Sequence, residues 1–266
     1  MTIKIRIITP HTTDRPTKLD EVKALLDFYK DVEFSQVGLP YGPKCIEGMY
    51  HDAFAAPGIV AACVQAQQDG VHAVMIDCMG DPALDAAREA VSIPVFGPGE
   101  TCLHVGALLG HRISVVTITE SVRPIFERHA RVYGVQSKLA SVRVTGISVL
   151  EISHEPGKLL NQLTEQSLAA INDDKADVII LGCTGFLGVS AQLAENLRHK
   201  GYAVPVLNPI QVTVSVAAAL ANLGLTHSPR CYHPAKDVAL DGFDDFFDVN
   251  KWPKVRAIAS VKKESV

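Results

Sequence analysis

Two cysteines lie at the ends of apolar runs that share one design. Residues 74–76 (Val-Met-Ile) lead through Asp77 to Cys78, and residues 178–181 (Val-Ile-Ile-Leu) lead through Gly182 to Cys183. Small or turn-forming residues and then an amphipathic helical pattern follow each cysteine, an order that predicts strand, cysteine and helix. In parallel α/β sheets, ligands bind where the carboxyl end of a strand leads into a helix. We therefore expect both thiols at ligand-binding positions.

A pair of thiols in this setting predicts proton-transfer chemistry. The dipole and free N–H groups of a helix N-terminus stabilise a thiolate, so we expect the pKa of Cys78 and of Cys183 to fall toward neutrality. A racemase or epimerase needs two acid/base groups of matched pKa on opposite faces of one carbon. A single cysteine that ends a buried strand is more often a core residue. Two cysteines at equivalent positions of an internal repeat favour a catalytic role for both.

Groups next to the thiols are candidates for holding a substrate, because donors in the plane of a carbanion stabilise its enolate oxygen. His11, in a loop rich in hydroxyl groups, is a candidate for orienting substrate, although a solvent-exposed histidine is an equal alternative. Asp77 and Asp81 are candidates for a second acid, but Asp81 precedes Pro82 and is better interpreted as a helix cap. The backbone and hydroxyl donors that we expect around the substrate belong to Met79, Gly80, Thr117, Thr119, Thr184 and Gly185.

The cysteine segments belong to an internal repeat. After each one the sequence predicts a helix, a short strand (residues 93–96 and 204–207), a turn and a second helix. A repeat of this length predicts an α/β fold of two pseudo-symmetric domains, each a mostly parallel sheet flanked by helices, with the active site in the cleft between them. We expect residues 1–98 plus 209–248 in the first domain and 99–208 in the second, followed by a tail over 249–266.

Three local expectations follow from periodicity and punctuation. The segment up to Pro57 has no clear pattern, and a helix is predicted over about residues 58–69, where Gly70 ends it. Residues 241–248 form an acidic, aromatic stretch without an assigned role. From about residue 250 onward we expect a loosely ordered tail.

Bulk composition excludes several classes of function. The chain has 266 residues, 47% hydrophobic and 20% charged, with a net charge of −4, so no basic surface is available for nucleic acid. No signal peptide and no apolar run of membrane-spanning length is present, which predicts a cytoplasmic protein without a membrane partner. The six cysteines contain no Cys-x-x-Cys pair, so we expect reduced thiols and no metal site. Since nucleotide-binding and zinc-binding motifs are also missing, we expect no cofactor.

The ordered set of motifs resembles the aspartate/glutamate racemase superfamily, and within it the hydantoin and allantoin racemase branch. The resemblance covers about residues 3–235. The motifs that carry it are 9–12 (Thr-Pro-His-Thr), 42–47 (Gly-Pro-Lys-Cys-Ile-Glu), 77–82 (Asp-Cys-Met-Gly-Asp-Pro), 84–89 (Leu-Asp-Ala-Ala-Arg-Glu), 97–100 (Gly-Pro-Gly-Glu), 115–117 (Val-Val-Thr) and 181–185 (Leu-Gly-Cys-Thr-Gly).

The resemblance implies cofactor-independent chemistry by two thiols, with Cys78 and Cys183 as opposed acid and base. It also implies that the first loop, with Thr9 and Pro10, contacts the substrate. Gly185 stands where glutamate racemases carry a histidine, which favours a ring such as a 5-substituted hydantoin or allantoin over an acidic amino acid. We expect a small-molecule substrate and a homo-oligomer.

Three alternatives remain open from the sequence. A maleate-isomerase-like enzyme would use one cysteine as a covalent nucleophile. An arylmalonate-decarboxylase-like enzyme needs only one catalytic cysteine. A non-enzymatic protein with two lobes around a small-molecule cleft is the alternative from a different class.

Overall fold

The fold is built from two mostly parallel sheets with helices packed on them. The structure is a computed structural model that describes residues 2–13, 18–23, 25, 29, 31–152, 156–235 and 256–262. The expected stretch over 241–248 therefore lies outside the described residues. Both sheets belong to the α/β class that the internal repeat predicts.

The first sheet contains β1 (Ile3–Thr9), β2 (Val32–Gly38), β3 (Ala73–Ile76), β4 (Val95–Phe96) and β9 (Arg256–Lys262), in the order β4-β3-β1-β2-β9. Strands β1 to β4 are parallel, and β9 is antiparallel to β2. All four residues of β3 are buried, as expected for a parallel strand covered on both faces. The prediction of a loosely ordered tail is wrong for residues 256–262, since they pair as the edge strand β9.

The second sheet contains β5 (Ile113–Thr117), β6 (Leu139–Val144), β7 (Val178–Leu181) and β8 (Val206–Leu207), in the order β6-β5-β7-β8. All its strands are parallel. Apart from β9, the two sheets share one topology, in which β3 corresponds to β7 and β1 to β5. The cysteine-bearing strands are therefore equivalent, which confirms the two-part α/β fold.

The helices are α1 (Leu19–Lys23), α2 (Met49–Gln68), α3 (Leu84–Ala90), α4 (Pro98–Leu109), α5 (Arg123–Val132), α6 (Pro156–Asn172), α7 (Ser190–His199) and α8 (Pro209–Asn222). Helix α8 returns to the first sheet, where Ile210 and Val214 belong to the same core cluster as Ile5 and Met75. The assignment of residues 209–248 to the first domain, with its exact boundaries, stays a prediction. Within the described residues, no helix is both long and apolar enough to span a membrane.

Helix α2 begins at Met49, nine residues before the predicted start, and carries Pro57 inside it. The sequence predicted this start too late, because the first turns of α2 are partly exposed and lack a continuous apolar stripe. Tyr50 and Phe54 are 73% and 61% exposed, respectively. The correction matters for the site, because the added turns carry Asp52.

Candidate active site

The two cysteines line one open cavity. Cys78 follows β3 by two residues, and Cys183 follows β7 by two residues. Each sheet therefore delivers one thiol, from equivalent strands, to the same space. The apolar wall of the cavity consists of Ile46, Met79, Ile118, Val122, Ile125, Phe126 and Val149.

Neither thiol lies at a helix N-terminus, which corrects the expectation from the sequence. Helix α3 begins only at Leu84, because residues Asp81 and Ala83 turn the chain with positive φ angles of 47° and 55°. Helix α7 begins at Ser190. Single backbone donors take the place of the helix dipole at each sulfur.

The same donor recurs at both thiols. The backbone N–H of Gly185 donates to the Sγ of Cys183 over 3.3 Å. The backbone N–H of Gly80 donates to the sulfur of Cys78. In each half the donor lies two residues after the cysteine, so the repeat preserves the contact as well as the strand.

The pKa of Cys78 is raised well above its usual value, so the predicted fall is wrong for this thiol. Burial is the largest cause, and the negative charge of Asp52 adds to it. The N–H of Gly80 opposes the shift, whereas Cys183 and Asp81 raise the pKa further. Cys78 therefore holds its proton near neutral pH. Because ionisation of Cys183 makes ionisation of Cys78 harder, the pair disfavours two negative charges at once.

Asp52 is a charged neighbour of Cys78 that sequence reasoning missed. Its Oδ1 atom is buried and has no hydrogen-bond partner within the described chain. Burial raises the pKa of Asp52 to about 6, and the charge of Arg128 opposes that shift. A Cβ atom added at Gly80 would lie 3.5 Å from Asp52 Oδ1 and 3.6 Å from Cys78 Sγ, which places the carboxylate and the thiol around the same glycine.

Asp81 caps a helix, but not the one expected from its sequence position. Its carboxylate accepts hydrogen bonds from the N–H groups of Gly99 (2.8 Å) and Glu100 (2.7 Å) in the first turn of α4. The hydroxyl of Tyr133 donates to it as well, over 2.9 Å. A Cβ atom at Gly99 would lie 2.7 Å from Asp81 Oδ2, so glycine permits the close approach. Burial raises the pKa of Asp81 to about 7.

Most of the candidate substrate contacts lie in the cavity wall, namely Pro10, His11, Met79, Gly80, Thr117, Thr184 and Gly185. Thr9 and Thr119 do not belong to the wall as the described residues form it. The hydroxyl of Thr9 donates to Asp77 Oδ2 over 3.1 Å. The Thr119 hydroxyl pairs with that of Ser121 at an exposed position. Thr9 thus acts on the site through Asp77.

The hydroxyls predicted to face an enolate oxygen make other contacts in this structure. Thr117 Oγ1 donates to the carbonyl oxygen of Gly182 over 2.9 Å, and Thr184 Oγ1 donates to the carbonyl oxygen of Asp77 over 3.2 Å. The first bond joins the ends of the neighbouring strands β5 and β7, and the second joins the loops that follow β3 and β7, across the two sheets. These threonines therefore shape the site more than they offer free donors to it.

Lys18 is a second group that the sequence did not single out. Its ammonium lines the cavity, donates to the carbonyl oxygen of Thr184 over 2.8 Å and lies 3.7 Å from Asp77 Oδ2. No motif distinguishes this lysine from a surface lysine, because its partners lie far along the chain. Among the described residues, no group of three or more His, Cys, Asp or Glu side chains is arranged to hold a metal ion.

A family model described as Asp/Glu/Hydantoin racemase matches residues 5–217 of the chain. A hydantoin racemase of Pseudomonas sp. (strain NS671) is 32% identical over 246 residues, which cover 92% of this chain and 97% of that protein. The family-model match thus includes both cysteine segments.

Solved structures agree with the sequence comparison. An allantoin racemase from Klebsiella pneumoniae superposes with a TM-score of 0.82 at 27% identity, over 92% of this chain and 99% of that one. An allantoin racemase from Pseudomonas fluorescens superposes with a TM-score of 0.80 at 26% identity, over 90% and 100% of the two chains.

Proposed function

This chain belongs to the Asp/Glu/hydantoin racemase family and is an isomerase of the racemase type, and we propose that it inverts C5 of a 5-substituted hydantoin or of allantoin. We propose further that Cys78 and Cys183 transfer the protons without a cofactor. The observation that carries the proposal is the delivery of one thiol from each of two equivalent strands to a single cavity.

The chemistry of such a ring suits two thiols. The C5 hydrogen lies beside a ring carbonyl, so the carbanion left by its removal is delocalised and planar. A sulfur on one face removes the proton, and the sulfur on the opposite face returns one. After each inversion the thiol and the thiolate have exchanged roles, and the pair has kept its single negative charge.

The raised pKa of Cys78 fits the acid half of this cycle. A thiol that holds its proton near neutral pH is available to protonate the carbanion. Cys78 becomes a thiolate only as Cys183 gains the proton from the substrate, so the two sulfurs do not carry negative charge together. In the reverse direction the same thiolate removes the proton from the opposite enantiomer.

Heavy water tests the proposal directly. Single enantiomers of allantoin and of several 5-substituted hydantoins would be incubated with the enzyme, while optical rotation and C5 deuterium are followed together. We expect loss of rotation with deuterium appearing at C5. The double variant Cys78→Ser with Cys183→Ser is the control for spontaneous exchange. If the wild-type protein exchanges no faster than that control on any of these rings, the proposed substrate class is wrong.

A further inference from the structure

Lys18 and Asp77 form a buried pair of opposite charges on the cavity wall. Their side chains are 4% and 1% exposed, and the Lys18 Nζ atom lies 3.7 Å from Asp77 Oδ2. Both residues line the cavity that holds the two cysteines. Removing two charges from water is costly unless their hydrogen bonds are satisfied, so the remaining bonds of this pair are informative.

One oxygen of the Asp77 carboxylate lacks a hydrogen-bond donor. Asp77 Oδ2 accepts from the hydroxyl of Thr9 over 3.1 Å. Asp77 Oδ1 is buried and has no partner within the described chain. A buried carboxylate oxygen without a donor is uncommon in native structures and calls for a ligand or an ordered water.

Lys18 has spare capacity next to that oxygen. An ammonium group carries three donors, and Lys18 uses one on the carbonyl oxygen of Thr184, over 2.8 Å, and a second on the Asp77 carboxylate, which leaves one. A donor of Lys18 and an acceptor of Asp77 thus lie side by side on one wall. Such a pair is complementary to a group that presents an acceptor and a donor along one edge.

We propose that Lys18 and Asp77 bind the –CO–NH– edge of the substrate ring, with its carbonyl oxygen accepting from Lys18 Nζ and its N–H donating to Asp77 Oδ1. In a cyclic amide, imide or ureide the ring holds these two groups on the same side. This inference rests on the proposed function and narrows its substrate class to rings with an unsubstituted N–H at that edge.

A carboxylate ligand fits the same wall poorly. It would satisfy Lys18 but would place a second anionic oxygen against Asp77 Oδ1, which then stays without a donor. The negative charge of Asp52, which raises the pKa of Cys78, adds to the repulsion at a pH above the Asp52 pKa of about 6. The electrostatics of the wall thus favour a neutral ring over an acidic amino acid.

Binding can be measured without turnover by using 5,5-dimethylhydantoin, which has no C5 hydrogen. Titration calorimetry on the wild-type protein would compare this ring with its N1-methyl and N3-methyl derivatives. We expect one of the two methyl groups to weaken binding on the order of 100-fold, because the buried carboxylate then loses its donor. Equal binding of all three rings, or no binding of any, overturns the inference.

Asp77→Asn separates hydrogen-bond recognition from a steric effect of the methyl group. If Asp77 accepts a hydrogen bond from the ring N–H, the variant binds the parent ring more weakly. Its preference for the parent ring over the methylated ring then falls to within about threefold. An unchanged preference in a folded Asp77→Asn protein means that the methyl group merely collides, and overturns the inference. If that variant does not fold, Lys18→Met decides in its place. It should weaken the binding of the parent ring and of both derivatives to the same extent.

Matched changes outside the cavity control for charge and size. Lys23→Met and Asp85→Asn repeat the two substitutions at side chains that are 59% and 80% exposed, and should bind all three rings as the wild type does. The ring-opened carbamoyl amino acid tests whether a carboxylate binds in place of the ring. If it binds the wild type more tightly than the ring, Lys18 recognises an anion and the inference fails. C5 exchange is measured in a separate experiment, so the binding result can be interpreted even if the racemase assay fails.

Discussion

The hydroxyl of Thr184 donates a hydrogen bond to the backbone carbonyl of Asp77 over 3.2 Å. Asp77 directly precedes Cys78, and Thr184 directly follows Cys183, so this bond joins the two cysteine loops across the two sheets. Lys18 strengthens the junction by donating to the carbonyl oxygen of the same threonine. The separation of the two sulfurs thus depends on side chains next to them as well as on the packing of the sheets.

Thr184→Val tests that junction. The change keeps the shape of the side chain but leaves the Asp77 carbonyl without its donor, so we expect a loss of about 1 to 3 kcal/mol in the free energy of unfolding. We also expect kcat to fall on the order of tenfold, since proton transfer is sensitive to small displacements. Urea denaturation and racemisation rates in both directions measure the two effects.

Thr184→Ser is the matched control, because it keeps the donor and removes only a methyl group. Its kcat should stay within about threefold of the wild type. If Thr184→Val racemises at the wild-type rate, the bond does not set the spacing of the thiols.

Asp52→Asn should lower the pKa of Cys78, because it removes a negative charge that raises it. Because Cys78 must hold its proton to act as the acid, the descending limb of kcat/KM against pH should then move to lower pH. Asp85→Asn makes the same change at a side chain that is 80% exposed and should leave the profile in place. A profile unmoved by Asp52→Asn would show that the carboxylate does not act on the thiol.

The same substitution has a consequence for stability. The folded-state pKa of Asp52 is about 6, above its ordinary value of 3.8, so the folded protein binds more protons than the unfolded chain between these values. The wild type therefore loses stability as the pH rises through this window. Asp52→Asn lacks that loss and should melt at a higher temperature than the wild type at pH 7.5, with a smaller difference at pH 4. The opposite order at pH 7.5 would mean that Arg128 stabilises the ionised carboxylate.

Much of the fold could be predicted, because it follows from local sequence patterns. Short apolar runs identify β3 and β7, and their repetition along the chain places Cys78 and Cys183 at equivalent strand ends. Edge strand β9 escaped prediction, because pairing with β2 depends on a partner more than 200 residues away.

The electrostatics of the site could not be predicted in the same way. Lys18 meets Thr184 across 166 positions of sequence, and only the folded chain shows that contact. The raised pKa of Cys78 depends on burial and on Asp52, neither of which has a signal near the cysteine. A strand followed by a helical pattern suggested a helix dipole, but the turn through Asp81 and Ala83 delays the helix.

Asp81→Asn should destabilise the protein by about 1 to 3 kcal/mol, because an amide can accept through only one of its two end atoms. Asp81 satisfies the N–H groups of both Gly99 and Glu100 at the start of α4. Chemical denaturation measures the loss. Tyr133→Phe removes a single donor to the same carboxylate and should cost less. Equal stability of Asp81→Asn and the wild type would show that α4 does not depend on this cap.

Alkylation by iodoacetamide should inactivate the enzyme through Cys78 or Cys183, and faster as the pH rises, because the thiolate is the reactive form. Cys63 and Cys102 are fully buried, and burial raises the pKa of Cys63 to about 12, so both should stay unlabelled. Exposed Cys231 should react without loss of activity, and Cys231→Ser removes that background. Mass spectrometry of the first inactive species identifies the site. Label found only outside the cavity would contradict the assignment.

The sharpest expectation concerns Cys78→Ser and Cys183→Ser. A serine hydroxyl is too weak an acid and base to replace a thiol near neutral pH, so each change should lower the racemisation rate by about 10² to 10⁴-fold. The remaining thiol still faces one side of the ring and can exchange the C5 hydrogen of the enantiomer that points at it. In heavy water, one variant should therefore exchange one enantiomer preferentially, and the other variant its mirror image.

Cys231→Ser provides the matched control, since it makes the same change at an exposed thiol and should exchange both enantiomers as the wild type does. A covalent isomerase or a decarboxylase would not produce the reciprocal preference, because neither reaction uses two opposed proton donors. If both folded variants racemise at the wild-type rate, or lose exchange of both enantiomers equally, the two sulfurs do not serve opposite faces of one carbon, and the two-thiol mechanism must be abandoned.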